Sequence, residues 1–147
     1  MNLRPAEPGD LHAIRDLVAQ RGLPTSDLQS NLMEGFLVAV NDAEEVVGCV
    51  GVQRFGKSAL VRSLAVSPSN EKLGLGRLLL LTLEKSCFAQ GVCELWLLTM
   101  NAAGFFTAAG YAPTDKDAAP AALQFTEQFA SICPASARCL MKRLGPS

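Results

Sequence analysis

The change of hydrophobic period in the middle of the chain is the feature that most limits its possible folds. Three runs typical of β-strands come first, at Phe36–Val40, Val46–Phe55 and Ala59–Val66, and short turns separate them. A run with helical spacing follows at Leu75–Phe88, in which leucines recur every three or four residues. Hairpins followed by alternating helices and strands predict one mixed sheet with helices on both faces.

The segments on either side of these runs extend the same pattern. Glycine, proline and capping residues mark their ends. The sequence therefore predicts an α/β (α+β mixed) fold with about seven strands. The remaining strands are expected at Leu3–Ala6, Leu95–Thr99, Tyr111–Pro113 and Ala137–Leu144, and the remaining helices after Asp10, after Thr25 or Ser26, at Ala102–Ala109, and from Pro120 through Phe129.

Length and composition bound the possible functions. The 147 residues fit one domain, 1–147, and 49% hydrophobic residues supply a full core. A net charge of -1 gives no electrostatic case for nucleic acid or an anionic membrane as a partner. The uncharged run Leu95–Thr114 is broken by glycines and a proline, so we interpret it as strand, helix and strand. The first residues lack an apolar signal region, which predicts a cytoplasmic protein. The oligomeric state is left open between a monomer and a homodimer.

The cysteines favour neither a disulfide framework nor a metal site. Five is an odd number, and the spacing contains no C-x-x-C pair. His12 is the only histidine, so no zinc-ligand pattern exists and catalysis by a Cys–His pair is a weak hypothesis. We expect small buried hydrophobic residues at Cys49, Cys87, Cys93, Cys133 and Cys139.

One loop has an assignable chemistry. The strand ending at Val66 runs through Ser67–Gly76 directly into the long helix. A helix start offers unpaired amides and partial positive charge, and Gly74 and Gly76 remove side chains that would keep a phosphate away. A P-loop is excluded because Arg77 follows the second glycine. A dinucleotide-binding fingerprint is also excluded, because it needs a third small residue that this loop lacks. The alternative to a phosphate site is that the two glycines only shape a tight turn.

The order of these elements resembles the GNAT family of acetyl-CoA-dependent N-acetyltransferases. The resemblance rests on Glu71-x-x-Gly74-x-Gly76 between strand and helix, and on Asn101 opening a helix that ends at Gly110-Tyr111. It covers essentially the whole chain and implies that acetyl-CoA is the cosubstrate, without a metal. The implied cofactor-binding residues are Leu64, Ala65 and Val66 along the pantetheine, Glu71, Lys72, Leu73, Gly74, Leu75, Gly76 and Arg77 at the pyrophosphate, and Asn101 and Phe106 beyond the next strand.

In that family the backbone amide at Leu64 would polarise the thioester carbonyl while a free amine attacks it directly. Four positions depart from the family pattern. In the loop, Glu71 replaces the usual Gln or Arg and Lys72 replaces the usual Gly. Elsewhere, Phe106 replaces a proton-donating Tyr and Leu60 replaces a Glu base. The general base is therefore unknown. Carboxylates that composition allows for this role are Glu34, Glu94 and Glu127.

Arg62 lies within the central strand and leaves two alternatives open. It either clamps an acidic group of the substrate or is a packed arginine paired with an Asp or Glu. The segments Gly22–Leu28, Phe105-Phe106 with Gly110-Tyr111, and Cys133–Ala137 are similar to the small GNAT proteins of bacterial arsenic-resistance gene clusters. That resemblance implies an acceptor related to amino acids or organoarsenical amino acids. Trivalent arsenic binds thiolates, but the spacing defines no three-thiol site.

These observations predict an N-acetyltransferase that acts on a small, amino-acid-like amine. The alternative is a catalytically weak GNAT module that binds acyl-CoA and has a regulatory or arsenic-related binding role, which the residues at Leu60 and Phe106 suggest. A dimeric structural partner is a third hypothesis.

Overall fold

A computed structural model of the protein describes residues 1–132 and 137–145, with Lys72, Leu73, Ser131 and Ile132 described by their backbone alone. Within these residues seven strands form one sheet in the order β1-β2-β3-β4-β5-β7-β6. The β4–β5 pair is parallel, whereas the β1–β2, β2–β3, β5–β7 and β6–β7 pairs are antiparallel. The predicted mixed α/β sheet is confirmed. Its strands are β1 Asn2–Pro5, β2 Phe36–Val40, β3 Val46–Phe55, β4 Ser58–Val66, β5 Glu94–Thr99, β6 Ala112–Thr114 and β7 Arg138–Arg143.

The helices differ from the prediction in two places. They are α1 Leu11–Gln20, α2 Leu75–Ala89, α3 Ala103–Ala108 and α4 Ala121–Gln124, with 3-10 segments at Pro8–Asp10, Ser30–Gly35, Pro68–Leu73 and Lys116–Ala118 and a π-helical turn at Gln128–Ile132. No helix begins at Thr25 or Ser26, where a single turn closes from the Leu28 amide to the Thr25 carbonyl; the short helix of this segment is the 3-10 helix that begins later, at Ser30. The predicted helix through Phe129 ends after α4 because the Thr126 hydroxyl and amide both bond to the Leu123 carbonyl.

The chain divides into two compact units, and the prediction of a single domain over 1–147 stays a prediction. The first unit comprises Met1–Gln53 and Arg62–Ser86, and the second comprises Arg54–Val61 and Cys87–Ser147. The core of the first unit consists of buried side chains from α1, the α1–β2 connection, β2, β3 and β4. They are Ile14, Leu17, Val18, Leu28, Met33, Phe36, Val38, Val40, Cys49 and Ala65.

Within the first unit, α1 and α2 lie on opposite faces of β3. Cys49 packs into the cluster that contains Ile14 of α1. A Cβ at the preceding residue, Gly48, would come within 2.9 Å of Leu79 and 3.2 Å of Leu75, both on α2. Neighbouring residues of a strand face opposite sides, so β3 is covered by a helix on each face.

The second unit has its own apolar cluster, built around the parallel β4–β5 pairing. Residues 58–60 of β4 pair with residues 94–96 of β5. The clustered residues are Leu60, Trp96, Ala119, Leu123 and Cys139. The run Leu95–Thr114 forms β5, α3 and β6, and β6 lies at the edge of the sheet. Among the described helices, none is both long and apolar enough to cross a membrane.

Candidate active site

The loop that follows β4 is anchored to the neighbouring strand. The Ser67 amide donates to the Val47 carbonyl of β3 at 2.9 Å. The Asn70 amide donates to the Ser67 carbonyl at 2.9 Å, and the Asn70 side chain donates to the Ser67 hydroxyl at 2.8 Å. These bonds close the first turn of the loop, so the 3-10 segment Pro68–Leu73 starts from a fixed position.

Gly74 separates that 3-10 segment from α2. Its φ of +73° lies in the left-handed region, which glycine adopts without the steric cost of a side chain. The helix hydrogen bonds start with the Leu78 amide and the Gly74 carbonyl, at 3.1 Å. The amides of Leu75 and Gly76 therefore belong to the helical turn that has no acceptor within the helix. A Cβ built on Gly74 meets no atom within 4 Å beyond its chain neighbours, so no other described part of the chain packs against this residue.

Glu71 lies in the middle of the loop and is paired with Arg21, which follows α1. The two side chains form an ion pair, and each is 40% exposed. A carboxylate beside a phosphate site would repel the ligand, and the guanidinium of Arg21 offsets that negative charge. Arg77, in the first turn of α2, is exposed. The partner of Glu71 has no signal in the sequence, because Arg21 lies far away in an unrelated segment.

The strand β4 contains a residue in an unfavourable backbone conformation. Ser63 has a φ of +58°, although it is not a glycine and lies inside a strand. Such conformations cost roughly 1–3 kcal/mol and occur mainly at functional sites. The next residue, Leu64, is half-buried, and Ala65 and Val66 are buried. The three residues predicted to run along the pantetheine therefore follow immediately after the strained position.

Arg62 is a buried arginine paired with an acidic residue. Its side chain has no exposed surface, and both terminal nitrogens of its guanidinium donate to the carboxylate of Asp27, one of them at 2.6 Å. Its Nε donates to the Ser63 hydroxyl at 3.0 Å. The structure therefore favours the second alternative for Arg62, a packed arginine, over a clamp that faces the substrate. Asp27 was not singled out from the sequence.

The predicted pantetheine contacts beyond β5 lie in the second unit. Asn101 is exposed in the turn after β5, and the Thr99 hydroxyl stabilises this turn by accepting the Ala102 amide at 3.0 Å. Phe106 on α3 is buried, and its ring packs edge-on against the rings of Phe105 and Tyr111, at 5.2 Å and 5.6 Å between centroids.

Tyr111, the only tyrosine, is a core residue. It is 2% exposed, and the ammonium group of Lys142 lies 5.6 Å from its ring centroid. The same ammonium group donates to the Ala109 carbonyl at 2.8 Å, which ties the end of α3 to β7. Tyr111 thus has the structural environment that its apolar sequence context predicts.

None of the carboxylates considered from the sequence has the environment of a general base. Glu94 accepts hydrogen bonds from the Ser58 hydroxyl at 2.8 Å and from the Trp96 indole at 2.9 Å, which engage it structurally. Glu34 and Glu127 are exposed. Leu60 is buried within an apolar cluster. The general base stays unassigned.

The buried thiols are poorly suited to act as thiolates. Burial raises the pKa of Cys49 to about 12, with an opposing contribution from a backbone hydrogen bond of Ala65. Burial also raises the pKa of Cys139 to about 11. Cys87 is buried and Cys93 is half-buried, whereas Cys133 lies outside the described residues together with 134–136. Across residues 1–132 and 137–145, no three His, Cys, Asp or Glu side chains are grouped to hold a metal ion.

A mixed sheet in which a strand, an anchored loop and an open helix start follow one another is characteristic of an α/β protein that binds a phosphorylated ligand. Residues 33–113 match the family model of the acetyltransferase (GNAT) domain. An uncharacterized N-acetyltransferase of Chlorobaculum tepidum, CT2212, is 32% identical over 123 residues, which cover 81% of this chain and 78% of that protein. The chain belongs to the GNAT family and is an acetyl-CoA-dependent acetyltransferase.

Solved structures share the fold at low sequence identity. The N-acetylglutamate synthase of Neisseria gonorrhoeae, complexed with coenzyme A and N-acetyl-glutamate, superposes with a TM-score of 0.85 at 22% identity. The match covers 99% of this chain but only 35% of the synthase, so the chain spans about a third of that protein. Rv2747 of Mycobacterium tuberculosis, in complex with CoA and NLQ, has a TM-score of 0.82 at 18% identity, covering 97% of this chain and 99% of that one.

Proposed function

We propose that this acetyltransferase transfers the acetyl group of acetyl-CoA to the amine of a small, amino-acid-like acceptor by direct attack. The open helix start at Gly74 is the observation that carries the proposal. Backbone amides and the helix dipole supply the positive charge for a pyrophosphate there, and the Arg21–Glu71 ion pair reduces the repulsion that the loop carboxylate would exert. The residues present therefore fit coenzyme A. Its thioester supplies an activated acetyl group.

The protein's own contribution to the transfer is positioning and electrostatic stabilisation. In the proposed arrangement the β4 backbone at Leu64 and Val66 pairs with the pantetheine. The Leu64 amide donates to the thioester carbonyl as negative charge develops on its oxygen, which is the role of an oxyanion hole. The amine nitrogen would then form the amide bond as the carbon–sulfur bond breaks, without a covalent acyl-enzyme; the nitrogen would lose its proton to solvent, and water would protonate the departing thiolate. A backbone amide performs this role without any particular side chain.

The class of acceptor is supported by resemblance. The gonococcal synthase, which is similar in fold, was solved with N-acetyl-glutamate. The segment Gly22–Leu28 is similar to the proteins of arsenic-resistance clusters, although the similar segment at Cys133–Ala137 lies largely outside the described residues. An acceptor panel for this protein should therefore contain the common amino acids and an organoarsenical amino acid with a free amine.

A glycine substitution tests the cofactor site. In Gly74→Val, the new side chain enters the open space in front of the loop and the backbone φ of +73° becomes strained. We expect the variant to lose coenzyme A binding, measured by calorimetry and by the rise in melting temperature that a ligand of the native state must produce. Retained affinity would show that the ligand does not approach this loop.

The matched control is Gly56→Val in the β3–β4 turn. Gly56 has a φ of +67°, and a Cβ there also meets no atom within 4 Å, so the two substitutions impose similar backbone strain. We expect both variants to lose stability to a similar extent and only Gly74→Val to lose coenzyme A. An equal loss of affinity in both would assign the effect to general destabilisation.

The second candidate is a GNAT module that binds acyl-CoA and catalyses transfer weakly. The buried Leu60 and Phe106 favour it, because neither side chain exchanges a proton at the positions where family members have an acid or a base. Thiol release from acetyl-CoA in the presence of the acceptor panel separates the two candidates. Binding without turnover on any amine would support the module, and turnover would support the enzyme.

A further inference from the structure

The backbone on which the proposed oxyanion hole depends is held by three residues of the first unit, Asp27, Arg62 and Ser63. Arg62 immediately precedes the strained Ser63, and Asp27 comes from the irregular segment between α1 and β2. We infer that Asp27, acting through Arg62 and the Ser63 hydroxyl, is a positioning residue that aims the Leu64 amide at the acyl carbonyl. This inference rests on the proposed function and deepens it.

The direction of the Leu64 amide is fixed by the peptide unit that it shares with Ser63. A trans peptide is planar, and its carbonyl and its N–H point in opposite directions. The Ser63 carbonyl accepts the thiol of Cys49 at 3.3 Å, on the side of the sheet where the Cys49 side chain lies in the core. The Leu64 N–H is therefore directed away from that core.

The side-chain hydroxyl of Ser63 helps to hold the positive φ of this residue. Its hydroxyl accepts the Arg62 Nε at 3.0 Å, which links two consecutive residues of the strand whose side chains would otherwise be independent. An unfavourable φ persists only where the surroundings determine it, and this bond together with the Cys49 contact supplies that determination. Ser63 is thereby held at both its backbone carbonyl and its side chain.

Asp27 completes the arrangement because it fixes Arg62. The Arg62 side chain has no exposed surface and that of Asp27 is 10% exposed, so water does not replace this partner. Two parallel N–H···O bonds define the plane of the guanidinium, and hence the direction of its Nε. The geometry at Ser63 thus depends on a carboxylate from a separate segment of the chain.

The test compares two ligands that differ only at the acyl carbonyl. Acetyl-CoA has the carbonyl that the Leu64 amide would contact, whereas S-ethyl coenzyme A has a methylene in its place. We expect the wild-type protein to bind acetyl-CoA roughly three- to tenfold more tightly by calorimetry, the range of one hydrogen bond. In Asp27→Asn and Ser63→Ala this ratio should fall towards one, while the affinity for S-ethyl coenzyme A changes by less than about twofold.

Two further variants separate positioning from a general structural role. Glycine adopts a positive φ freely but lacks the hydroxyl that Arg62 contacts, so in Ser63→Gly the ratio should also fall towards one; a full ratio in Ser63→Gly would show that the backbone φ alone aims the amide and would refute the role of Asp27 and Arg62. Asp10→Asn is the matched control, because Asp10 forms a second bidentate pair with Arg4, at 2.8 and 3.1 Å, elsewhere in the same unit. It should keep the wild-type ratio. If Asp27→Asn does not fold at the assay temperature, Ser63→Ala decides.

Each outcome is informative. If neither ligand binds the wild-type protein, the proposed function fails. If both bind equally to the wild-type protein, or if Ser63→Ala keeps the full ratio, the positioning role of Asp27 and Arg62 is refuted while the cofactor site stands. A parallel loss of affinity for both ligands in every variant would also refute it, because it would indicate a structural role alone.

Discussion

The buried pair between Arg62 and Asp27 predicts a large loss of stability when one partner is removed. The Arg62 side chain is 0% exposed and the Asp27 side chain 10%, whereas in the comparable Arg4–Asp10 pair the values are 33% and 13%. In Asp27→Asn, a guanidinium charge stays buried without its counter-charge, and one amide nitrogen faces the guanidinium donors. Removing one partner of a buried pair costs about 3–5 kcal/mol.

Asparagine keeps one acceptor oxygen, so the expected loss lies at the lower end, about 3 kcal/mol. For a chain of this length, each kcal/mol lowers the melting temperature by roughly 3 °C, which gives a decrease of about 9 °C. In Asp10→Asn the arginine is partly solvated, and a loss of about 1 kcal/mol is expected. Thermal unfolding followed by far-ultraviolet circular dichroism measures both variants.

A double variant tests the physical reason. Apolar residues of similar volume often replace a buried ion pair without loss, because the desolvation penalty disappears with the charges. Asp27→Leu combined with Arg62→Met should therefore recover most of the stability lost in Asp27→Asn. If Asp27→Asn is no less stable than Asp10→Asn, or if the double variant is less stable than the single one, the reasoning from an uncompensated buried charge is wrong.

Other perturbations have outcomes of known direction. In Gly51→Ala the new Cβ lies 2.3 Å from a phenylalanine ring, so the free energy of unfolding measured in urea should fall by about 1–3 kcal/mol. In Gly104→Ala no atom lies within 4 Å of the new Cβ, so no loss of stability is expected. The hydrogen bond from Arg4 lowers the pKa of Asp10 in the folded protein. The stability that ionised Asp10 contributes is therefore present above pH 3.8 and is lost as the pH falls below that value, so the difference in stability between the wild-type protein and Asp10→Asn should disappear in acid. Arg21→Gln should weaken coenzyme A binding by roughly two- to fivefold at low salt and less at high salt.

Elements with a strong hydrophobic period were predictable from the sequence. β2 and β3 have the predicted ends, and α2 extends one residue beyond its predicted range, because alternation and three-four spacing reflect burial against the sheet. The segment after Thr25 was not predictable in this way. Its conformation depends on tertiary partners, since Asp27 binds Arg62 and the Leu28 carbonyl accepts the Arg15 guanidinium.

The candidate site likewise has a part that the sequence predicts and a part that it does not. Its backbone elements, the loop at Gly74 and the strand at Leu64, follow from turn chemistry and from the family resemblance. Its side-chain pairs do not, because ion pairs between distant segments leave no local pattern. For Arg62 the sequence left two alternatives, and only its burial and its contact with Asp27 distinguish them.

The charge distribution explains how a chain with so few charged residues can hold a polyanionic cofactor. Its net charge is -1, and the acidic residue inside the loop, Glu71, is balanced by Arg21. Arg62 is likewise balanced by Asp27 and does not contribute free positive charge. In the proposed site, the attraction for the pyrophosphate would come mainly from oriented backbone amides, which are fixed by the fold and carry no counter-ions. A site of this kind depends on the conformation of its loop more than on any one basic side chain, so Gly74 rather than an arginine is the residue whose substitution should abolish binding.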